Sequence, residues 1–545
     1  MATPKTELAN QSPLYEEVNL FDSDRSLRDA VASNAGTDSE ALAAFGRHWG
    51  AAAMFERGRL ANAHPPRLET LDARGFRRDT VEFHPAYHDL MVESIAEGLA
   101  ASTWRAEVTP APMPAQAPAQ VLRAARFYMA AQVETGHLCP LTMTRAAVAA
   151  LAAEPKLAAL VVPKIIARRY DQRFIPWWEK QGLTLGMGMT ERQGGTDVRS
   201  NTTTAVPAGE GYLITGHKWF MSAPMCDLFL VLAQAPGGLT CFLMPRFQPD
   251  GSMNALNFQR LKDKLGNRSN ASSEVEFAGA FAWRIGEEGR GVRTIIQMVQ
   301  LTRLDCAIAS AGLMRMALAQ ALHHARHRIV FQKRLVDQPM MASVLADMAL
   351  EAEAAMALIM RLCRSFDLAA SDPHEAVRAR LLTPVAKFWI CKRAPAFVYE
   401  AMECLGGNGY VEDSLLPRLY REAPVNAIWE GSGNVMALDV LRAATPETLR
   451  TVLDALAIDG EGLPGLRETR ALIAEALAAG EAKARLVVER LALLAAAAAL
   501  RVSAPAAIAE LFARTRLNGP RGVMLGTSDV SAAEIDALLA RALPM

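Results

Sequence analysis

Residues 186–201 read GMGMTERQGGTDVRSN. Gly194, Gly195 and Thr196 follow one another there, and Thr190 stands four residues before Gly194. A Gly-Gly-Thr run lets backbone N–H groups come close to a phosphate or a flat ring, because no Cβ stands in the way. Thr190 adds a hydroxyl at the end of a short apolar strand. Glycine clusters also make ordinary turns, so by itself the run leaves both readings open.

Outward from this stretch the pattern is that of strands. GYLITGHKWFMS, DLFLVLAQA, LTCFLMP and SSEVEFAG alternate or run apolar over strand lengths, punctuated by Gly, Pro and Asp. No helix-period segment intervenes, which predicts an antiparallel β domain over 181–284 rather than a βαβ unit. Residues 1–180 read as an extended arm of about thirty residues followed by helices, including 73–102 and 117–136, with a Pro-rich break at 109–118. Residues 285–444 hold very long periodic segments, 291–331 and 341–371, the pattern of an antiparallel helical bundle. Residues 445–545 are Ala-rich and predict a further helical domain after a linker at 444–448. The fold class expected is mainly α with a β middle domain.

Composition shows no global bias toward a charged partner, and a local basic patch stays open. The 545 residues carry 58 Lys+Arg and 58 Asp+Glu, so no global charge draws the chain to nucleic acid or membrane surfaces. Seven scattered cysteines, none in C-x-x-C spacing, predict free thiols and no metal site. The run LALLAAAAAL at 491–500 is too short to span a bilayer. The N-terminus is polar, without the apolar core of a secretory signal. A cytoplasmic protein with no membrane contact is the expectation.

Read in full, the opening stretch resembles the signature of the acyl-CoA dehydrogenase family. Other segments with the same resemblance follow in order: GHKWFMS (216–222), KLGNRSNASSEVEF (264–277), ARHRIVFQKRLVDQ (325–338), ECLGGNGYVEDSLLPRLYRE (403–422) and NAIWEGSGN (426–434). LCPLTMT (138–144), RLKDKLGNRSNAS and IWEGSGN together resemble the AidB branch, associated with the adaptive response to DNA alkylation. The resemblance covers roughly 80 to 445. It implies an N-terminal helical domain, a β-barrel domain and a four-helix bundle, with FAD as cofactor and an extra C-terminal helical domain. It also implies a homotetramer that shares its FAD across a subunit interface.

What the resemblance implies for individual residues is specific. Glu430 would be the base that takes the proton α to an acyl-CoA thioester while hydride leaves the β carbon for flavin N5. A minority of the family carries that base on an earlier helix, where this chain has Thr302-Arg303 and no carboxylate. Arg303 would supply positive charge near the substrate or flavin. Met189, Thr190, Gly195 and Thr196 would contact the isoalloxazine and the phosphates, and Ser222 the N5 edge. Phe220 stands where many members have a Trp, so it would pack on the ring without an N–H to donate. Arg328 and Gln338 would reach FAD from a neighbouring subunit, the arginine through its planar fork. Gly406, Gly407 and Gly409 would admit the far end of the dinucleotide, and Trp429, Gly431, Ser432 and Asn434 would border it.

Two functions compete. One is an FAD-dependent acyl-CoA dehydrogenase of weak or narrow activity on a short or branched substrate. The other is a flavoprotein that binds double-stranded DNA and shields it from, or destroys, a small alkylating electrophile. Duplex binding needs clustered cations. Of the C-terminal region only RTRLNGPRG (514–522) is locally basic, which makes Arg514, Arg516 and Arg521 the DNA-binding candidates. A third option is a flavoprotein kept for assembly alone, with no role for Glu430.

Overall fold

The computed structural model describes residues 10–36, 39–105, 112–518 and 522–544. The chain divides into two compact units, Ala53–Asp305 and, combined, Met1–Ala52 with Cys306–Met545.

In the first unit the β domain is a seven-stranded sheet. Its strands are β3 (Leu185–Gly188), β4 (Thr204–Ala208), β5 (Gly211–Ser222), β6 (Leu228–Ala235), β7 (Gly238–Pro245), β8 (Leu256–Leu261) and β9 (Ser272–Ile285). The pairings close on themselves: β5 to β9, β9 to β7, β7 to β6, β6 to β3, and β3 back to β5. This ring gives the barrel-like domain, with β8 added outside it on β9. The LFLVLA run of β6 is buried on both faces, and its continuous apolar sequence follows from that. One detail corrects the all-antiparallel expectation: β3 runs parallel to β6, with Leu185 opposite Leu228 and Gly188 opposite Val231.

A second correction lies at 73–102, expected as helix throughout. Its start completes a hairpin, β1 (Arg67–Leu71) with β2 (Arg77–Glu82). The turn chemistry decides this. Asp72 Oδ1 accepts from the N–H groups of Arg74 at 2.8 Å and Phe76 at 2.9 Å, and Gly75 takes φ +86°. Helix resumes at Pro85–Ala96.

In the other unit the long helices are Pro339–Leu368 and Pro373–Leu405. The Ala-rich helix Ala484–Ser503 packs on both and is buried through its apolar run. Small side chains let helix axes approach closely, which suits that packing. The arm is shorter than expected: helix begins at Arg25, capped by Asp24, whose Oδ1 accepts from Leu27 N at 3.0 Å. All seven cysteines are free thiols. Among the described residues no helix is long and apolar enough to cross a membrane, and no acid, His or Cys cluster suits a metal.

Candidate active site

Six of the nominated residues lie together in the β domain. β3 ends at Gly188, opposite Met221 of β5, and Met187 is opposite Ser222. Met189 and Thr190 therefore leave the sheet beside the strand that carries Phe220 and Ser222. Trp219 N donates to Thr190 O at 2.8 Å and locks this junction. Gly195 lies so close to Thr190 that a Cβ there would overlap the threonine hydroxyl, and Gly194 takes φ +138°. These positions require glycine. Phe220 is 49% exposed on β5, and Thr196 is exposed on the loop. An exposed aromatic face beside a glycine turn and a hydroxyl fits a flavin.

The loop is held by a pair that carried no role in the sequence reading. Glu191 and Lys218 form a fully buried ion pair at 2.7 Å. Glu191 also accepts from Thr202 N at 2.7 Å, Thr203 N at 3.2 Å and Gln193 Nε2 at 3.0 Å. Burial alone would raise its pKa, but bonds from Lys218, Gln193 and the Thr202 backbone outweigh burial and hold it well below the usual carboxylate range. Beside it, Lys262 Nζ sits 3.5 Å from the Trp219 ring centroid and 4.7 Å from that of Phe220.

A second anchor ties KLGNRSNAS to the helical segment. Glu134 accepts from Ser269 Oγ at 2.7 Å, Asn62 Nδ2 at 3.0 Å, and the N–H groups of Gly136 and His137 at 2.8 Å each. The His137 ring lies 2.7 Å away through Nδ1. Burial opposes ionisation, yet this donor set pulls the Glu134 pKa down to about 2. In the same unit Arg303 is buried within the helix Gly291–His327.

In the other unit, Trp429, Glu430, Gly431 and Ser432 lie in the turn between the helices Leu416–Asn426 and Gly433–Ala443, and Asn434 stands in the first turn of the second. Glu430 is half-buried and has φ +57°, the left-handed region that a residue with a side chain adopts only when its surroundings impose it. The next residue is tied down: fully buried Lys387 donates to Gly431 O at 2.7 Å. Trp429 Nε1 donates to Asn426 Oδ1 at 3.1 Å, and Asn434 Oδ1 accepts from Arg485 at 3.1 Å. Lys387 belongs to the same helix, Pro373–Leu405, whose end carries Gly406, Gly407 and Gly409. A Cβ at Gly409 would overlap Met402 O, whereas Gly406 and Gly407 face open space. Arg328 and Gln338 bracket a two-stranded hairpin, β10 (Ile329–Val330) with β11 (Lys333–Arg334). Gln338 Nε2 donates to Val330 O at 3.0 Å, and half-buried Arg328 donates to Asn10 O at 2.8 Å.

Of the locally basic C-terminal stretch, the two described candidate arginines are both engaged within the chain. Arg516 is buried and ion-paired with Asp347, which also accepts from Ser528 Oγ and Gly526 N at 2.9 Å each. A guanidinium committed in this way cannot meet a DNA phosphate. Arg514 pairs with Glu534 at 2.9 Å. Arg521 lies outside the described residues.

Comparison with known proteins agrees with this arrangement. Residues 10–172 match the family model of the adaptive response protein AidB N-terminal domain. Residues 186–280 match the acyl-CoA dehydrogenase middle domain, and 289–445 its C-terminal domain. The putative acyl-CoA dehydrogenase AidB of Escherichia coli (strain K12) is 51% identical over 441 residues, 79% of each chain. The solved structure of Caenorhabditis elegans ACDH-11 in complex with C11-CoA superimposes with TM-score 0.83 at 27% identity, covering 98% of this chain and 97% of that one. An acyl-CoA dehydrogenase complexed with FAD from Bacillus anthracis shares the fold, with TM-score 0.63 at 16% identity over 77% of this chain and 76% of that one. With matching domains along its length and 51% identity to the Escherichia coli relative over 79% of its residues, the chain belongs to the acyl-CoA dehydrogenase family, in the AidB branch, and is an FAD-dependent oxidoreductase.

Proposed function

We propose that the chain oxidises an acyl-CoA thioester between its α and β carbons, with Glu430 as the base. The observation that carries this reading is the conformation of Glu430, a left-handed carboxylate residue whose following carbonyl is tied down by buried Lys387. Backbone strain of this kind, of order 1–3 kcal/mol, persists where the surroundings over-determine it. FAD, when bound, supplies the acceptor for the hydride that leaves Cβ. Glu430 takes the proton from Cα, and the electron pair of that C–H bond becomes the new double bond. Thr190, Gly195, Thr196 and Ser222 bind and orient the flavin, and Phe220 packs on its ring without donating to it.

The likeness to a structure holding C11-CoA supports a chain of medium length ahead of a short or branched one. Arg328, Gln338 and the arm residue Asn10 support a tetramer that shares its cofactor, because they hold one exposed hairpin. The test is anaerobic mixing of holoprotein with straight-chain acyl-CoAs of increasing length. Bleaching of the flavin absorbance within seconds, strongest for medium chains, is expected. Absence of bleaching with every chain length refutes the reading.

The relationship to AidB supports a second reading, protection of DNA from alkylating agents. With Arg516 buried, its phosphate contacts would come from cations elsewhere on the chain. Duplex affinity that falls steeply with salt would favour it.

A further inference from the structure

Arg246 follows β7 and is only 3% exposed. Its Nη2 donates to Asp79 O at 2.7 Å. Its Nε and Nη1 are shut off from solvent and find no acceptor among the described residues. Those two nitrogens carry three N–H bonds. The guanidinium lies 4.8 Å from the Phe258 ring centroid and 5.2 Å from that of Phe174. Cation–π contact offsets part of the cost of burying the charge, but it supplies no acceptor. Burial pulls the Arg246 pKa down to about 10, so the cation persists at neutral pH.

The charges around it are otherwise matched. Arg77 holds Asp79 at 2.8 Å, Arg173 holds Asp171 at 2.6 Å, and Lys180 holds Asp227 at 2.6 Å. Arg246 is the surplus cation of this wall. It lines a cavity of about 60 Å³ together with Thr80, Arg173, Phe174, Lys180 and Asp227. The Thr80 hydroxyl is also buried without a partner, one residue from the Asp79 carbonyl that Arg246 holds. A cavity needs roughly 10–15 Å³ for each water it admits. The space therefore suits about four to six non-hydrogen atoms, too few for a nucleotide. Asp79 and Asp227 also border the cavity, but each is ion-paired with another cation, Arg77 and Lys180. A buried guanidinium with two unmet nitrogens remains costly, and an anion seated beside it offsets that cost.

We propose that this cavity binds a small oxyanion of phosphate size, with the Arg246 guanidinium and the Thr80 hydroxyl as its donors. A tetrahedral oxyanion presents acceptors on several sides, which matches N–H bonds that leave the guanidinium in different directions. Nε, Nη1 and the Thr80 hydroxyl are closed off in this structure, so binding requires the Arg246 side chain to turn toward the cavity it lines. The site is built wholly from residues 79–247 and does not depend on Glu430 or on acyl-CoA chemistry.

The experiment uses FAD-loaded full-length protein at fixed ionic strength, titrated with sodium phosphate, sodium acetate or sodium chloride. Thermal unfolding and the ³¹P linewidth of phosphate are the readouts. A saturable rise in unfolding temperature with phosphate, smaller with acetate and absent with chloride, is expected. Arg246→Gln should weaken phosphate binding about tenfold or more, and Thr80→Val about threefold, the factors that a charge-assisted and a neutral hydrogen bond supply. If phosphate acts no differently from chloride on the wild-type protein, the proposal is wrong. It is equally wrong if Thr80→Val, the milder change, leaves phosphate affinity untouched. Stabilisation by acetate alone would mean a carboxylate site, and would overturn the phosphate assignment.

Discussion

Lys387 Nζ donates to the carbonyl of Gly431 at 2.7 Å, so a fully buried lysine on the helix Pro373–Leu405 holds the residue that follows Glu430. Lysine is seldom buried without purpose. Here its donor fixes a turn in which Glu430 has φ +57° and Gly431 φ +102°. Replacing Lys387 with Met keeps the length and removes the tie. The expected result is a fall in kcat of about ten- to a hundredfold, the scale of a misplacement near 1 Å. FAD content and KM should stay nearly unchanged. Steady-state kinetics with flavin-content measurement checks this, and an unchanged kcat would show that the tie does not position the base.

Gly195→Ala should weaken FAD retention. The added Cβ would overlap the Thr190 hydroxyl, and threonine is stiff at χ1, so the backbone must shift. A loss of about tenfold in FAD affinity is expected, read from the flavin to protein absorbance ratio after gel filtration.

Glu134 gives a pH prediction with a definite sign. Its folded pKa is depressed from 4.5 to about 2. The stability this shift contributes is therefore complete above the unfolded value and is lost as pH falls from about 4.5 through about 2. The amount is about 3 kcal/mol at order-of-magnitude level. Urea midpoints of the wild type should fall steeply across that window. Glu134→Gln should start lower and show a flatter dependence, since glutamine keeps an acceptor but not the charge.

Arg516→Met should destabilise the fold by about 3–5 kcal/mol, because it leaves Asp347 buried without its cation. Arg514→Ala breaks a half-exposed pair and should cost less than about 1 kcal/mol. Arg514→Ala should also leave the salt slope of any duplex binding unchanged. A slope reduced by about one would restore Arg514 as a phosphate contact.

The parts of the account that were legible in the sequence are those written locally. Strand alternation and turn glycines act over a few residues and indicate the β domain, and the ordered motifs such as GMGMTERQGGTDVRSN and NAIWEGSGN resemble those of the family. What holds those motifs was not legible. Lys218 lies 27 residues from Glu191, and Lys387 lies 44 residues from Gly431. Nothing in local composition pairs them, because the partners meet only once strands and helices have packed. Arg516 failed for the same reason: its acid, Asp347, is 169 residues away, so the stretch looked basic when one of its charges was already matched. The hairpin at β1 and β2 was misread because the Asp72 turn interrupts a segment whose apolar spacing also suits a helix.

The most direct test of Glu430 follows the proton itself. Holoprotein is incubated in D₂O with an acyl-CoA analogue whose β position cannot give up hydride, and deuterium entering the α carbon is measured by mass spectrometry. Wild-type protein should exchange the α-hydrogen rapidly, and Glu430→Gln should slow exchange by at least about a hundredfold, within the range of general-base contributions. Equal exchange in the two proteins would contradict the assignment of Glu430 as the base.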